Sequence, residues 1–189
     1  GKTNIKNYER IYKMGTKTIN FTDIVTSGDI FKNLLINKCK PFNNLGKKYF
    51  IIGRYDDLLS DTIYTQSNNI NDSDFLLLIT LTDYLDNNKI KFYLNEGLHN
   101  NKKLVCVNPD IKSIQGNNIS SSVGSIAKDY ENSGGSVLYV GKPHLNSFNY
   151  ILDLLHPIGK KKILMIGDSL FTDIKGAYDL KIDSFFISS

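Results

Sequence analysis

Short apolar runs that alternate with helix-like patterns are the feature of this sequence that most constrains its fold. Residues 75–79 and 104–107 are apolar throughout, as expected for strands that are buried on both faces of a sheet. Between such runs, apolar residues recur at a helical spacing, for example at Phe148, Ile151 and Leu155. Strands that alternate with helices predict an α/β protein built on a parallel sheet.

The same hydrophobic patterns predict the remaining strands, helices and loops. Further strands are expected at residues 24–25, 49–52, 137–140, 163–166 and 185–187, and further helices at 30–35, 81–97, 123–130 and near 177–180. The Asn- and Ser-rich segments 66–74 and 113–122 are predicted to be loops, the second of them mobile.

Composition and charge exclude several classes of partner. A chain of 189 residues is long enough for one domain, or for a small core with an insertion. The net charge is only +4 and the lysines are scattered, which does not favour nucleic acid as a partner. No apolar run approaches the ~20 residues that a membrane span requires. Cys39 and Cys106 lie far apart, so we expect reduced thiols in a cytoplasmic protein.

Two carboxylates follow the predicted strand at residues 163–166. Asp168 comes directly after this strand, with Ser169 beside it, and Asp173 follows five residues later. One interpretation is that these residues cap the next helix and lie in its first turn, where the helix dipole favours an acid. The other is a site for a hard cation beyond the carboxyl end of the strand, where ligands bind in open α/β sheets. Mg²⁺ fits the second interpretation because it retains water and phosphate ligands besides one or two carboxylates.

Lys142 follows the predicted strand at residues 137–140 and precedes Pro143. A residue before proline is kept out of the helical region, so the lysine side chain is presented from an extended turn. Its compact ammonium group suits a phosphate ligand, although a solvated surface lysine is the alternative. The carboxylates after the next strand favour the phosphate interpretation, since both strand ends would meet at one edge of the sheet.

The order V-G-K-P, amphipathic helix, M-I-G-D-S-x-x-T-D-I resembles the haloacid dehalogenase superfamily of phosphohydrolases. The resemblance is greatest to the class IIA members, which include the p-nitrophenyl-phosphatase-like and pyridoxal-phosphate phosphatases. Residues 24–28, I-V-T-S-G, look like the strand that precedes the cap in this class. Residues 107–110, V-N-P-D, are similar to its A-N-P-D segment, and the likeness extends over the chain from about residue 20.

The resemblance implies a domain organisation. It implies a Rossmann-like parallel core sheet that is incomplete at its N-terminal side, formed by residues 1–45 and 136–189. Residues 46–135 would form an inserted α/β cap. Pairing of two copies through the cap is a further expectation.

The resemblance also implies the roles of individual residues. Asp168 and Asp173 would hold Mg²⁺, and Lys142 and Asp173 would take part in catalysis. The substrate, a small phosphorylated metabolite, would contact Lys142 and three further residues, which are Asn108, Asp110 and Ser169. For Asn108 and Asp110, a turn that ends a strand is the alternative.

The family's nucleophile has no counterpart in this sequence. The family uses an aspartate in a D-x-D segment after the first core strand, which attacks phosphorus and is assisted by a general acid/base. The only D-x-D segment here is Asp72-Ser73-Asp74, and it precedes a predicted strand. We therefore expect the C-terminal portion of such a phosphatase, inactive by itself. The alternative is a non-catalytic protein that binds a phosphorylated ligand or complements a separate N-terminal piece.

Overall fold

The computed structural model describes residues 4–15, 21–53, 57–81, 86–115 and 118–188. The chain divides into two compact units, Gly1–Tyr139 and Val140–Ser189. Each unit is described by itself.

The first unit contains four helices and seven strands within the described residues. They are α1 (Asn4–Lys13), α2 (Ser27–Ile36), β1 (Lys48–Ile51), β2 (Thr65–Gln66), β3 (Phe75–Leu78), α3 (Asn87–His99), β4 (Lys103–Cys106), β5 (Lys112–Gln115), β6 (Asn118–Ser121), α4 (Val123–Asn132) and β7 (Val137–Tyr139). No helix in the described part of the chain is long and apolar enough to cross a membrane.

A five-stranded parallel sheet in the order β2-β1-β3-β4-β7 organises the first unit. Helix α3 connects β3 to β4, because parallel neighbours need a long crossover between them. The central strand β3 is buried at every residue, which explains its uninterrupted apolar sequence. This sheet confirms the predicted α/β class.

Side chains from one face of this sheet pack in a core with α3 and α4. Leu76 and Leu78 of β3 alternate onto this face, where the neighbouring strand contributes Leu104 and Cys106. The core cluster also contains Tyr130 of α4, whose hydroxyl donates a 2.6 Å hydrogen bond to the Lys102 carbonyl. A buried aromatic ring with a satisfied hydroxyl ties the helix to the sheet without leaving a polar group unpaired.

The second unit is a smaller β/α arrangement. Its elements are α5 (Leu145–Leu154), β8 (Leu164–Gly167), a π-helical turn (Leu170–Ile174), α6 (Lys175–Asp179) and β9 (Asp183–Phe186). Strands β8 and β9 pair in parallel, with Ile166 opposite Phe185. Helix α6 lies against α5 at Gly176, where a Cβ atom would stand 2.1 Å from the Phe148 ring.

The strand predicted at residues 24–25 does not form. Residues 21–26 have no regular structure, and Thr26 is instead the N-cap of α2. Its hydroxyl accepts a hydrogen bond from the Asp29 N–H, and the Asp29 carboxylate accepts one from the Thr26 N–H, which is a capping box. A strand needs the backbone of a neighbour, and no described residue pairs with this segment.

The loop predicted at residues 113–122 is also wrong, because most of this segment is the antiparallel hairpin β5–β6. Its strands K-S-I-Q and N-I-S-S mix polar and apolar residues and therefore lack the apolar run that identifies a strand. Residues 116–117, which lie outside the described ranges, are Gly-Asn, a pair typical of two-residue hairpin connections.

Strand β7 pairs with β4, whereas β8 belongs to a different sheet from β7. We expected the ends of these two strands to meet at one edge of a single sheet, and this expectation is wrong, because the two strands do not share a sheet. The division between the units falls between Tyr139 and Val140. The domain boundaries proposed at residues 45 and 136 stay predictions.

Replacement of Ile52 by alanine should destabilise the first unit strongly. Ile52 is fully buried in the core cluster, and Ile→Ala at such sites costs about 2–5 kcal/mol in free energy of unfolding. Ile63 is an exposed isoleucine of the same unit, and Ile63→Ala should change this free energy by less than about 0.5 kcal/mol. Urea unfolding followed by circular dichroism measures both. Equal effects of the two substitutions would contradict the described core.

Candidate active site

An ion pair in the second unit joins two of the predicted site residues. Lys142 Nζ lies 2.5 Å from Asp173 Oδ1, and the lysine side chain is 53% exposed while that of the aspartate is 4% exposed. The lysine follows Val140 and Gly141, whereas the aspartate lies in the π-helical turn after β8. The predicted proximity of Lys142 to the carboxylates is therefore present for Asp173.

The buried carboxylate of Asp173 is paired with the Lys142 ammonium group. Its Oδ1 atom forms the 2.5 Å ion pair, and no described residue donates a further hydrogen bond to this atom. Burial of a carboxylate is unfavourable unless a cation or hydrogen bonds compensate it. The lysine supplies this compensation, and the carboxylate keeps acceptor positions that a ligand could use.

Gly167 allows the Asp173 carboxylate to lie against the end of β8. A Cβ atom at Gly167 would stand 2.3 Å from Asp173 Cβ and 2.4 Å from Asp173 Oδ2. These separations are too short for any side chain to be accommodated without movement of the aspartate. The glycine in the sequence Gly167-Asp168 is thus required by the packing of Asp173.

The wide turn after β8 sets the direction of Asp173. The Ser169 carbonyl accepts hydrogen bonds from the N–H groups of both Asp173, at 3.0 Å, and Ile174, at 3.1 Å. Single π-helical turns of this kind occur frequently at functional sites. Ser169 occupies the N-cap position of the turn, but its side chain makes no capping hydrogen bond to the described residues. The helix-cap interpretation of Ser169 is therefore wrong.

Asp168 is placed differently from Asp173. It is exposed directly after β8, and within the described ranges no hydrogen bond or ion pair involves its side chain. Its carboxylate is accessible to a ligand beyond the carboxyl end of the strand, as expected for an α/β sheet.

The carboxylates after β8 can supply part of the ligand shell of a hard cation. The described residues contain no group of three or more His, Cys, Asp or Glu side chains arranged to hold a metal. Mg²⁺ does not need one, since it usually takes one or two carboxylates and completes its shell with water and phosphate oxygens. The exposed Asp168 and the Asp173 carboxylate, which is paired with Lys142, fit such a partial ligand set.

The turn that carries Lys142 depends on a residue that the sequence analysis missed. Gly141 has a φ of +131°, a conformation that favours glycine, and its N–H donates a 2.7 Å hydrogen bond to Ser147 Oγ. The His144 N–H donates to the Gly141 carbonyl at 2.9 Å. The only sequence signal for Ser147 is a hydroxyl in the first turn of the helix that follows G-K-P.

Asn108 and Asp110 lie in the first unit, in the irregular segment that follows β4. The Asn108 carbonyl accepts from Cys106 Sγ at 3.3 Å, and the Asp110 carbonyl accepts from the Gly124 N–H at 3.1 Å. A substrate-binding role for either residue stays a prediction. The alternative interpretation, a turn that ends the strand, also stays a prediction. Burial raises the pKa of the Cys106 thiol to about 12, so this cysteine is not a thiolate nucleophile near neutral pH.

The segment Asp72-Ser73-Asp74 has a structural role. It precedes β3, and the Asp74 carboxylate accepts a 2.8 Å hydrogen bond from the Lys48 N–H at the start of β1. The Asp74 N–H in turn donates to the Lys48 carbonyl at 2.7 Å. These contacts lie at the amino ends of the strands, on the opposite side from the edge where α/β proteins bind ligands.

Gly167→Ala should destabilise the second unit by about 1–3 kcal/mol, because the new methyl group overpacks the buried Asp173 side chain. Gly159→Ala is the matched control. No atom lies within 4 Å of a Cβ there, and its φ of −71° suits any residue, so it should be neutral or slightly stabilising. Thermal unfolding of the two variants checks this. An unchanged transition for Gly167→Ala would show that Asp173 does not pack against Gly167.

Comparison with known proteins finds a family match over part of the chain and a shared fold over nearly all of it. Residues 139–189 match the HAD-hydrolase-like family. No curated protein matches the sequence. Among solved structures, a haloacid dehalogenase-like hydrolase from Brucella suis 1330 is 25% identical, with a TM-score of 0.78, over 92% of this chain and 67% of that one.

Two further structures share the fold at lower identity. A p-nitrophenyl phosphatase from Archaeoglobus fulgidus is 16% identical over 100% of this chain and 71% of its own, with a TM-score of 0.75. A possible sugar phosphatase of the same superfamily from Cytophaga hutchinsonii is 22% identical over 98% of this chain and 68% of its own, with a TM-score of 0.78. Residues 139–189 are therefore similar to the haloacid dehalogenase-like hydrolases, and nearly the whole chain shares the fold of these solved structures.

Proposed function

We propose that this chain provides the metal- and phosphate-binding part of a Mg²⁺-dependent phosphomonoester hydrolase that acts on a small phosphorylated metabolite. The observation that carries the proposal is the Lys142–Asp173 ion pair after β8, beside the accessible Asp168. The fold shared with phosphatases supports the same reaction class. A cytoplasmic location, which the two free cysteines favour, is part of the proposal.

Lys142 would bind the phosphate. Its side chain is half exposed, so the ammonium group is accessible, and a lysine acts on phosphate oxygens as a compact point charge. Asp173 would orient the ammonium group through their contact. The carboxylates of the exposed Asp168 and of Asp173 would hold Mg²⁺, which when bound would neutralise phosphate charge. Ser169, Asn108 and Asp110 would contribute to substrate binding.

We assign the role of nucleophile to no residue of the chain 1–189. The only D-x-D segment fixes the start of β3, since Asp74 is engaged with the Lys48 backbone. Cys106 is buried, and its raised pKa keeps it protonated. Removal of the attacking group from a covalent mechanism typically costs several orders of magnitude in rate. Residues 1–189 should therefore bind phosphate without hydrolysing its esters.

Isothermal titration calorimetry with inorganic phosphate in the presence of Mg²⁺ tests whether residues 1–189 bind phosphate. Lys142→Ala should weaken binding by about tenfold or more, because a charge-assisted hydrogen bond contributes about 1.5–3 kcal/mol. The control is Lys128→Ala, which removes a similarly exposed lysine that pairs with Glu131 in the first unit and should leave affinity unchanged. The absence of phosphate binding at millimolar concentration would reject the proposal. If the chain hydrolyses p-nitrophenyl phosphate and Asp168→Ala abolishes this activity, the prediction that residues 1–189 are inactive is wrong.

A second function, complementation by another polypeptide, is favoured by a bare face of the β8–β9 sheet. Residues two apart in a strand share a face, and so do directly paired residues, which places Leu164, Ile166 and Phe185 together. Their side chains are 56%, 57% and 60% exposed. On the opposite face Gly167 packs against Asp173, while Phe186 is 41% exposed.

Parallel sheets are normally covered on both faces, and exposed apolar sheet surface promotes association. We propose that a separate polypeptide packs on this bare face, adds a strand at the open edge of β8 and supplies the nucleophilic aspartate. Pairing of two copies of this chain is the competing arrangement.

Exposure of this face predicts that the isolated chain binds the fluorescent probe ANS, which reports accessible apolar surface. The double variant Ile166→Ser/Phe185→Ser should lower the ANS signal, whereas Phe92→Ser/Ile111→Ser, which changes exposed apolar residues of the first unit, should lower it much less. Sedimentation velocity on the same samples reports association. A dimer that the first double variant dissociates would show that a second copy covers the face.

A further inference from the structure

We infer that Ser147 is a positioning residue for Lys142, an inference that rests on the proposed phosphate-binding role of that lysine. Ser147 is the third residue of α5 and is buried, with its side chain directed back to the turn that precedes the helix. Its hydroxyl does not serve as a conventional helix cap, because its partner is the N–H of Gly141, the residue before Lys142.

The hydrogen bond between Gly141 and Ser147 is short and enclosed. The Gly141 N–H donates to Ser147 Oγ at 2.7 Å, and both residues are buried. The Ser147 hydroxyl donates onward to Asn146 Oδ1 at 3.1 Å, so its O–H and one of its two acceptor positions are used. A buried N–H without a partner is unfavourable, and no other described residue accepts from the Gly141 N–H.

This bond fixes the backbone from which Lys142 extends. The lysine has a long side chain with considerable rotamer freedom, and it is half exposed. Its ammonium end is located by Asp173 and its backbone end by the Gly141 peptide, which Ser147 holds. If either end is released, the ammonium group samples a larger volume, and a phosphate must order it again on binding.

Loss of the Ser147 hydroxyl should loosen this turn without abolishing it. The His144 N–H still donates to the Gly141 carbonyl at 2.9 Å, and the Ser147 N–H donates to the His144 carbonyl at 3.1 Å. Neither bond involves the serine side chain. The substitution therefore acts on the Val140–Gly141 peptide, which directly precedes Lys142, and on the hydrogen bond to Asn146.

A purely structural serine would give a different result, and Ser73 provides the matched control. Ser73 is equally buried, and its hydroxyl donates a 2.7 Å hydrogen bond to the Ile70 carbonyl in the first unit. Ser73→Ala therefore removes a comparable buried hydrogen bond from a site that does not carry Lys142. Ser147→Thr keeps the hydroxyl and serves as the conservative variant.

The experiment combines two measurements on the chain of residues 1–189. The first is the affinity for inorganic phosphate with Mg²⁺, which we expect Ser147→Ala to weaken by about 3- to 10-fold, Ser147→Thr to preserve, and Ser73→Ala to leave unchanged. The second is the rate of Lys142 acetylation by acetic anhydride without phosphate, read by mass spectrometry. We expect this rate to rise at least twofold in Ser147→Ala alone.

The two measurements separate this inference from the proposed function. If Ser147→Ala lowers thermal stability as much as Ser73→Ala does, but changes neither the phosphate affinity nor the rate of Lys142 labelling, Ser147 is not a positioning residue. If the unsubstituted chain binds no phosphate, the proposed function fails. The labelling rate then still decides whether Ser147 fixes Lys142, since it requires no ligand.

Discussion

The burial of Asp173 beside Lys142 is the interaction on which the rest of the site depends. A buried carboxylate is costly unless a cation or hydrogen bonds compensate it, and here the cation comes from a half-exposed lysine 2.5 Å away. This arrangement explains the local sequence on both sides. Gly167 is required because a Cβ atom would collide with the aspartate, and the π-helical turn aims the side chain inward. Gly141 provides the left-handed backbone that precedes the lysine.

The two sheets of the chain differ in how far their apolar residues are buried. In the first unit, β3 is fully enclosed and the sheet is covered by helices on at least one face. In the second unit, the strands beside the candidate site leave Leu164 and Phe185 largely exposed. The first unit therefore contains most of the buried hydrophobic surface that stabilises a fold. The residues proposed to bind phosphate and metal belong to the unit with less of it.

Sequence reasoning predicted those elements whose pattern is created by burial. The all-apolar β3 and the helical stripe around Phe148 follow directly from their packing. The strand prediction at residues 24–25 was wrong because two β-branched residues cannot form a strand without a neighbouring strand, and strand pairing is not visible in a local sequence pattern. The β5–β6 hairpin was missed because its strands are too polar to stand out. At the site, the proximity of Lys142 to the carboxylates was predicted and is found for Asp173, but its stated basis was wrong, because β7 and β8 belong to different sheets.

Ser147 shows why the supporting residues of a site are harder to predict than its charged groups. A carboxylate after an apolar strand is conspicuous, because few physical roles place a charge there. A serine in the first turn of a helix is common, and only the path of the backbone shows that its hydroxyl accepts from Gly141. The charge of a lysine follows from its residue type, but the position of its ammonium group depends on the contacts at both ends of the side chain. In this protein, the contact at the backbone end is the hydrogen bond from the Gly141 N–H to the Ser147 hydroxyl. The two residues are six positions apart, and no charge pattern in the sequence would connect them.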